Sequence, residues 1–413
     1  MKLIHKGDYR PRSTYICGNP GFGKTSLIQD QALRDIRKGR GVCVIDPTGD
    51  LVSRLIHWIP KTRVADAIYF DTDDPISIDF FSYRHPAERQ VLTDQLVDIF
   101  NLENAPLAKP RLQRIIGTLF DANDNPRIPD ENRCTFLDIQ TFIEDGKRRE
   151  QILSYCPDRK AQWENFPKIS DLVSIIERMT PFTESPTLKK MLGAKRPQLN
   201  IWEVMQKKQV FLVNLKDTPT DLFIGSLIAS KFQQAAFGRR YIVESKRTPY
   251  YLYIDECNTI LGYSAKYFES ILLRARKYKL CLTLANQIPE DLPPSIQKKL
   301  GTIGTLVLFN LDTNNARIFK DRISPFEIED LVNLTEFHAI CRTRNRVYQI
   351  ETPAFLGPSP ASYAKSIRNR TKHLDGCVAT PKAPSSAHDE EIERTRGDIK
   401  DIPPHRRQAE SSP

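Results

Sequence analysis

No run of apolar residues in this 413-residue chain reaches the roughly 18 needed to cross a bilayer, and its first eleven residues are polar, without a signal-peptide core. A transmembrane segment is thereby excluded from the sequence as it stands, and a soluble, cytoplasmic protein is expected. No C-x-x-C and no histidine-rich pairing occurs, and the eight cysteines lie far apart. That spacing argues against a disulfide framework and against a structural metal site. Five of them, Cys17, Cys43, Cys257, Cys281 and Cys341, sit in or beside apolar strand-like runs and read as small buried hydrophobes. Aromatic residues do not interleave with the basic clusters, so no stacking platform for single-stranded nucleic acid is marked.

What the chain does carry is concentrated first in residues 13–26, S-T-Y-I-C-G-N-P-G-F-G-K-T-S. Gly18, Gly23, Lys24 and Thr25 satisfy G-x-x-x-x-G-K-[ST], with Asn19, Pro20, Gly21 and Phe22 filling the loop and Ser26 following it. Such a loop turns successive backbone N–H groups inward to hold phosphate oxygens, with the dipole of the next helix behind them. Lys24 would reach the β and γ phosphates, and Thr25 would hold Mg²⁺ through its hydroxyl. The context fits, since residues 14–17 are strand-like and 26–37 are amphipathic and helical. The plainer alternative is a glycine turn beside a surface lysine.

The first segment then alternates strand and helix: strands at 14–17, 41–45 and 67–70, helices at 26–37 and 51–58. Short, continuously apolar strands separated by helices are the pattern of a parallel sheet covered on both faces. Asp46, Thr48 and Asp50 fall at the carboxyl end of the second strand, where open α/β sheets place ligands. They read equally well as a proline-glycine turn with a helix-capping aspartate. From about Pro86 the apolar residues recur at helical spacing, in stripes such as Val91, Leu92, Leu96, Ile99 and Phe100, or Leu112, Ile115, Ile116 and Leu119. This predicts a mainly helical insertion of about 110 residues between two strands. It carries no catalytic constellation.

The sheet is expected to resume at 210–215, followed by a helix over 221–237 and then Y-Y-L-Y-I-D-E at 250–256. An apolar strand running into two acids is the form of a Walker B strand. Asp255 would hold Mg²⁺ through water, and Glu256 would polarise the attacking water as general base. A helix is predicted over 263–278 and a strand over 280–285, with Gln287 at that strand's end, placed to touch the γ phosphate or the lytic water. A capping turn residue is the alternative. Arg274 and Arg276 lie two apart and cannot share one helix face; one could cross a subunit boundary as an arginine finger while the other makes a surface ion pair. A strand at 305–309 and a hairpin of 337–342 with 346–350 close the sheet.

The net charge is +10. Residues 82–205 are near balance and the tail is only slightly positive, so most of the excess lies in the two segments that hold the ATPase motifs. A polyanionic partner is consistent with this. Arg239 with Arg240, Lys246 with Arg247, Lys298 with Lys299, and Arg342, Arg344 and Arg346 are the basic clusters, the last alternating along one strand face. From Gly357 the chain is rich in proline, serine and mixed charge, and disorder is expected beyond about Lys372.

In the order of its motifs the chain resembles the HerA/FtsK group of RecA-like motor ATPases, and within it the coupling-protein ATPases of conjugative type IV secretion, the TraD/TraG-like group. The likeness rests on G-N-P-G-F-G-K-T, on V-C-V-I-D-P-T-G-D-L-V one helix later, on a helical insertion before V-F-L-V-N-L, on Y-L-Y-I-D-E, and on R-A-R-K-Y-K-L-C-L-T-L-A-N-Q. It spans about residues 13–355. The resemblance implies a RecA-like α/β core in two parts, 1–84 and 206–356, and an all-α insertion at 85–205; residues 357–413 read from their composition as a largely disordered tail. It implies an ATP-driven ring motor, usually a hexamer, with DNA in its channel and relaxosome or secretion-apparatus proteins as partners. Lys24, Thr25, Asp255, Glu256 and Gln287 would act in cis, and Arg276 would reach the neighbouring subunit's nucleotide. Coupling proteins usually carry amino-terminal transmembrane helices, whereas the phosphate loop here begins within twenty residues of Met1, so attachment at the inner membrane would be peripheral and through a partner. The family's frequent histidine in the second-strand motif is replaced by Thr48. A secretion or assembly ATPase acting on protein remains the alternative reading, as does a non-catalytic, nucleotide-regulated scaffold.

Overall fold

The structure, a computed structural model, describes residues 13–100, 107–261, 268, 269, 272, 274–343, 346–357, 359 and 361–375. Nine strands form one sheet: β1 (Thr14–Cys17), β2 (Gly41–Asp46), β3 (Ala67–Asp71), β4 (Val210–Asn214), β5 (Tyr250–Ile254), β6 (Leu280–Asn286), β7 (Thr305–Leu308), β8 (His338–Thr343) and β9 (Arg346–Glu351). Their order is β3-β4-β2-β5-β6-β1-β7-β8-β9. Every pairing from β3 to β7 is parallel, and β8 and β9 close the sheet antiparallel. This is a RecA-like P-loop ATPase fold.

The apolar runs of the central strands follow from burial on both faces. Along β5, Tyr250, Leu252 and Ile254 point into one apolar layer, while Tyr251 and Tyr253 point into the other. Residues of β2 divide the same way, Cys43 and Ile45 against Val42 and Val44. Helices α1 (Lys24–Arg37) and α2 (Asp50–Leu55) cover the second face. The first face is covered by the Pro219–Gly238 helix and by the segment between β3 and β4.

That segment is helical, as its periodicity predicts, with Pro86–Ile99, Ala108–Asp124 and Val173–Glu184 its longest helices. Its entry and exit are tied together: Leu199 N–H donates to Ser77 O at 3.0 Å, and Asp79 N–H to Leu199 O at 2.8 Å. Its apolar stripes, Leu112, Ile115, Ile116 and Leu119 among them, run without a break into the layer beneath the sheet. Val91 departs from the expected stripe and is exposed, one position off the buried line of Leu92, Leu96 and Phe100. The seven described cysteines are buried, and none of them is in a disulfide.

The segment after Gly357 departs from the tail expected there. The helix Ala364–Lys372 lies against β3, with Ile367 fully buried, and Thr371 Oγ1 accepts from Tyr69 N–H at 3.1 Å while Arg370 donates to Ala67 O. These are groups on the outer side of an edge strand, and the helix satisfies them. The periodicity that forms it is short, Ala364, Ile367 and Thr371, inside a strongly polar stretch. The disorder expected farther on falls at residues 376–413, outside the described residues. Among the described residues no helix is long and apolar enough to cross a membrane.

Candidate active site

The loop after β1 is held open by its glycines and by its neighbours. A Cβ on Gly18 would stand 2.5 Å from Phe309 Cβ, so the backbone there approaches the end of β7 more closely than any side chain allows. Gly23, the residue before α1, has φ +110, a conformation that favours glycine. Asn19 pins the loop to the same side, its N–H donating to Asn310 O at 2.8 Å and its amide to Asn310 Oδ1 at 2.8 Å. The result is a rigid cradle with α1 behind it, and 14 residues of helix supply the dipole.

Lys24, the first residue of α1, is 5% exposed, and its Nζ donates back to the loop carbonyls of Gly18 at 2.8 Å and Asn19 at 3.2 Å. Burial lowers its pKa, and the charges of Glu256 and Asp255 oppose that shift. Thr25 Oγ1 donates to Asp255 Oδ2 at 2.9 Å, across 230 residues of sequence. Asp255 is 4% exposed; burial first, then Asp46 and Glu256 beside it, push its carboxyl up to about 7, while the Thr25 hydrogen bond pulls the other way.

Glu256 follows at φ +40, an uncommon backbone for a residue with a side chain. Its Oε1 accepts from Gln287 Nε2 at 2.9 Å. The strand order explains the meeting, because β6, which carries Gln287 just past its end, lies between β1 and β5. Parallel strands put all three carboxyl ends on one edge. Cys17 donates its S–H to Gln287 O at 3.3 Å, fixing the turn from below.

The structure thus brings together Lys24, Thr25, Asp255, Glu256 and Gln287. At the second-strand motif Asp46, 1% exposed, accepts from Thr48 N–H, Thr48 Oγ1 and, in the first turn of α2, Val52 N–H, which ties the turn to the helix; the residue before α2 is Gly49. Arg276 lies in the short turn Ala275–Tyr278, but its side chain is outside the described residues, as is half of the helix predicted over 263–278. Arg274 is exposed.

Two basic clusters are corrected. Arg239 is fully buried and donates to the carbonyls of Thr248, Tyr278 and Met205, so it closes the base of the sheet and offers nothing to a ligand. Arg342 and Arg346 do not share one strand face, since they belong to β8 and β9 on either side of a turn; Arg344 lies outside the described residues. Sequence reasoning also passed over Arg63, buried and donating to Ile36 O, Arg40 O and Lys208 O. In K-T-R it looks like any turn arginine.

Among the described residues no group of three or more His, Cys, Asp or Glu gathers to hold a metal. The pair Thr25 and Asp255 is the donor set that suits Mg²⁺, which keeps waters and shares phosphate oxygens instead of entering an all-protein cage.

No family model matches the chain, and no curated protein matches it by sequence. Solved structures do match. The bacterial conjugative coupling protein TrwBdeltaN70, in an unbound form, is similar with a TM-score of 0.62 at 13% identity, over 86% of this chain and 89% of that one. The plasmid coupling protein TrwB in complex with ADP and Mg²⁺ gives a TM-score of 0.62 at 13% identity over 86% and 89%. VirB4 of Thermoanaerobacter pseudethanolicus gives 0.56 at 14% identity over 87% and 93%. At such identities the likeness is one of fold.

Proposed function

We propose that this chain is an ATP-hydrolysing motor that assembles as a homo-oligomeric ring, a hexamer, and translocates DNA in the manner of a type IV secretion coupling protein. The observation that carries the reading is the convergence of Lys24, Thr25, Asp255, Glu256 and Gln287 at the ends of three neighbouring parallel strands. The backbone N–H groups of residues 21–26 hold the phosphates, and Lys24 exchanges its two loop carbonyls for β- and γ-phosphate oxygens, a charge-assisted and stronger pairing. Thr25 and Asp255 would hold Mg²⁺, which when bound neutralises charge on the phosphoryl oxygens. Glu256 takes the proton from the attacking water as general base. Gln287, already on Glu256 Oε1, orients that carboxylate and senses whether the γ phosphate is still present.

On this reading Arg276 enters the neighbouring subunit's site, so a lone protomer holds half of the machinery. DNA is the polyanion that suits a basic motor portion, and the helical segment of residues 85–205, with no catalytic group, docks a relaxosome or secretion-apparatus protein. The protein is cytoplasmic, or peripheral at the inner membrane through such a partner.

Multiple-turnover phosphate release tests the chemistry. Glu256→Gln is expected to bind ATP with wild-type affinity and to release phosphate at least about 100-fold more slowly. Turnover of Glu256→Gln at the wild-type rate would remove Glu256 from its role and the hydrolytic reading with it.

A further inference from the structure

The loop, the acids and the amide account for the phosphate end of a nucleotide and leave its other end unassigned. In the nucleotide-site reading above, on which this inference rests, the bond that breaks lies beside Glu256 and Gln287, on the β5 and β6 side of β1. A triphosphate is a linear chain, so its nucleoside leaves across the opposite side of β1, over β7 and β8.

An aromatic residue in an unusual backbone state stands there. Phe337, just before β8, has φ +64, a left-handed conformation that is a genuine outlier for a bulky side chain. Three hydrogen bonds hold it: its N–H donates to Phe22 O in the phosphate loop at 3.0 Å, and its carbonyl accepts from Thr352 N–H at 2.7 Å and Thr352 Oγ1 at 3.2 Å. A Cβ built on Gly23 would lie 3.1 Å from Phe337 Cδ1, which places the ring against the start of α1. Phe309 also reaches Gly23 but is fully buried and serves as the floor, whereas Phe337 and Phe22 are only half-buried. Strain of this kind persists where the surroundings over-determine it, and it clusters at ligand sites. Had the position served the turn alone, glycine or asparagine would fill it without strain.

We infer that Phe337, with Phe22, forms the platform on which the nucleobase of a bound nucleoside triphosphate stacks. A phenyl face offers no hydrogen bond to a base edge, and every base has a π face to lay on it. The platform therefore takes adenine and guanine alike, and the substrate class is a nucleoside triphosphate in place of ATP alone.

Calorimetric titration of the full chain with ATP, GTP and inorganic tripolyphosphate tests this. Wild type is expected to bind ATP and GTP within about tenfold of each other. Phe337→Ala and the bulk-preserving Phe337→Leu are expected to weaken both by about tenfold or more, leaving tripolyphosphate affinity unchanged, with Phe337→Trp restoring the loss. Unchanged ATP affinity in both variants overturns the proposal, and so does an equal loss for tripolyphosphate, which would make Phe337 a shaper of the loop. A wild-type preference for ATP over GTP above about 100-fold overturns it too, since it requires a group that reads the base edge. Wild type binding neither ATP nor tripolyphosphate would instead overturn the phosphate-loop reading itself.

Discussion

In the proposed function, Gln287 is the residue through which the site becomes more than a nucleotide cradle. Its amide sits 2.9 Å from Glu256 Oε1, and Glu256 is itself set at φ +40, so the carboxylate's direction depends on a partner 31 residues away. Gln287→Leu keeps the volume and removes the donor. It is expected to lower kcat by roughly 10- to 100-fold with little change in ATP affinity, read by single-turnover phosphate release beside equilibrium binding. An equal loss in affinity would assign the amide to binding. At this scale the sequence was legible where chemistry demands a fixed spacing: Gly18 to Thr25 within one loop, and Asp255 with Glu256 at one strand end. It was misleading where only tertiary contact decides. Arg239 read as one of a basic pair and Arg63 gave no signal, yet both are buried against backbone carbonyl groups. Phe337 gave no signal because its partners, Phe22 and Thr352, are distant in sequence.

Among the elements, the Pro219–Gly238 helix carries a buried cation across the interface with the insertion. Lys231 donates to Ser82 O at 3.2 Å, and burial lowers its pKa from 10.5 to about 8, with Asp79 and Glu88 opposing. The folded value lies below the unfolded one, so between these two pH values the unfolded chain binds more protons and stability rises with pH. Urea midpoints of wild type relative to Lys231→Met are expected to climb across that window, by up to roughly 3 kcal/mol, and to stay level below it. A flat difference would place Lys231 in water. The Ala364–Lys372 helix carries a second prediction. Ending the chain after Gly357 uncovers the outer side of β3, and such an edge pairs with other chains. Light scattering on warming is expected to rise earlier for the shortened chain, and Ile367→Asp, which keeps the chain length, is expected to do the same. Matching onset temperatures would show that β3 needs no cover. This helix escaped the sequence reading because one buried Ile367 among lysines and arginines is a weak period, and the contact that stabilises it is with a strand 300 residues earlier.

For the whole molecule, the alternation of strand and helix and the long interruption before V-F-L-V-N-L made the α/β class and the insertion legible, since period and apolar run length report burial directly. What they could not report is that the insertion's stripes join the layer under the sheet instead of closing on themselves. Pairing order was equally hidden: β6 between β1 and β5 is a long-range choice, and it is this choice that brings Gln287 to Glu256. The central claim concerns assembly as well as chemistry: the proposed function assigns to the site an arginine of the next subunit and takes DNA as the substrate moved. It is tested most directly by the ATPase rate per protomer, measured across protein concentration with and without DNA at fixed salt. The account predicts a rate that climbs steeply as subunits assemble and climbs further when DNA is added. A rate per protomer that is flat in protein concentration and indifferent to DNA would contradict it.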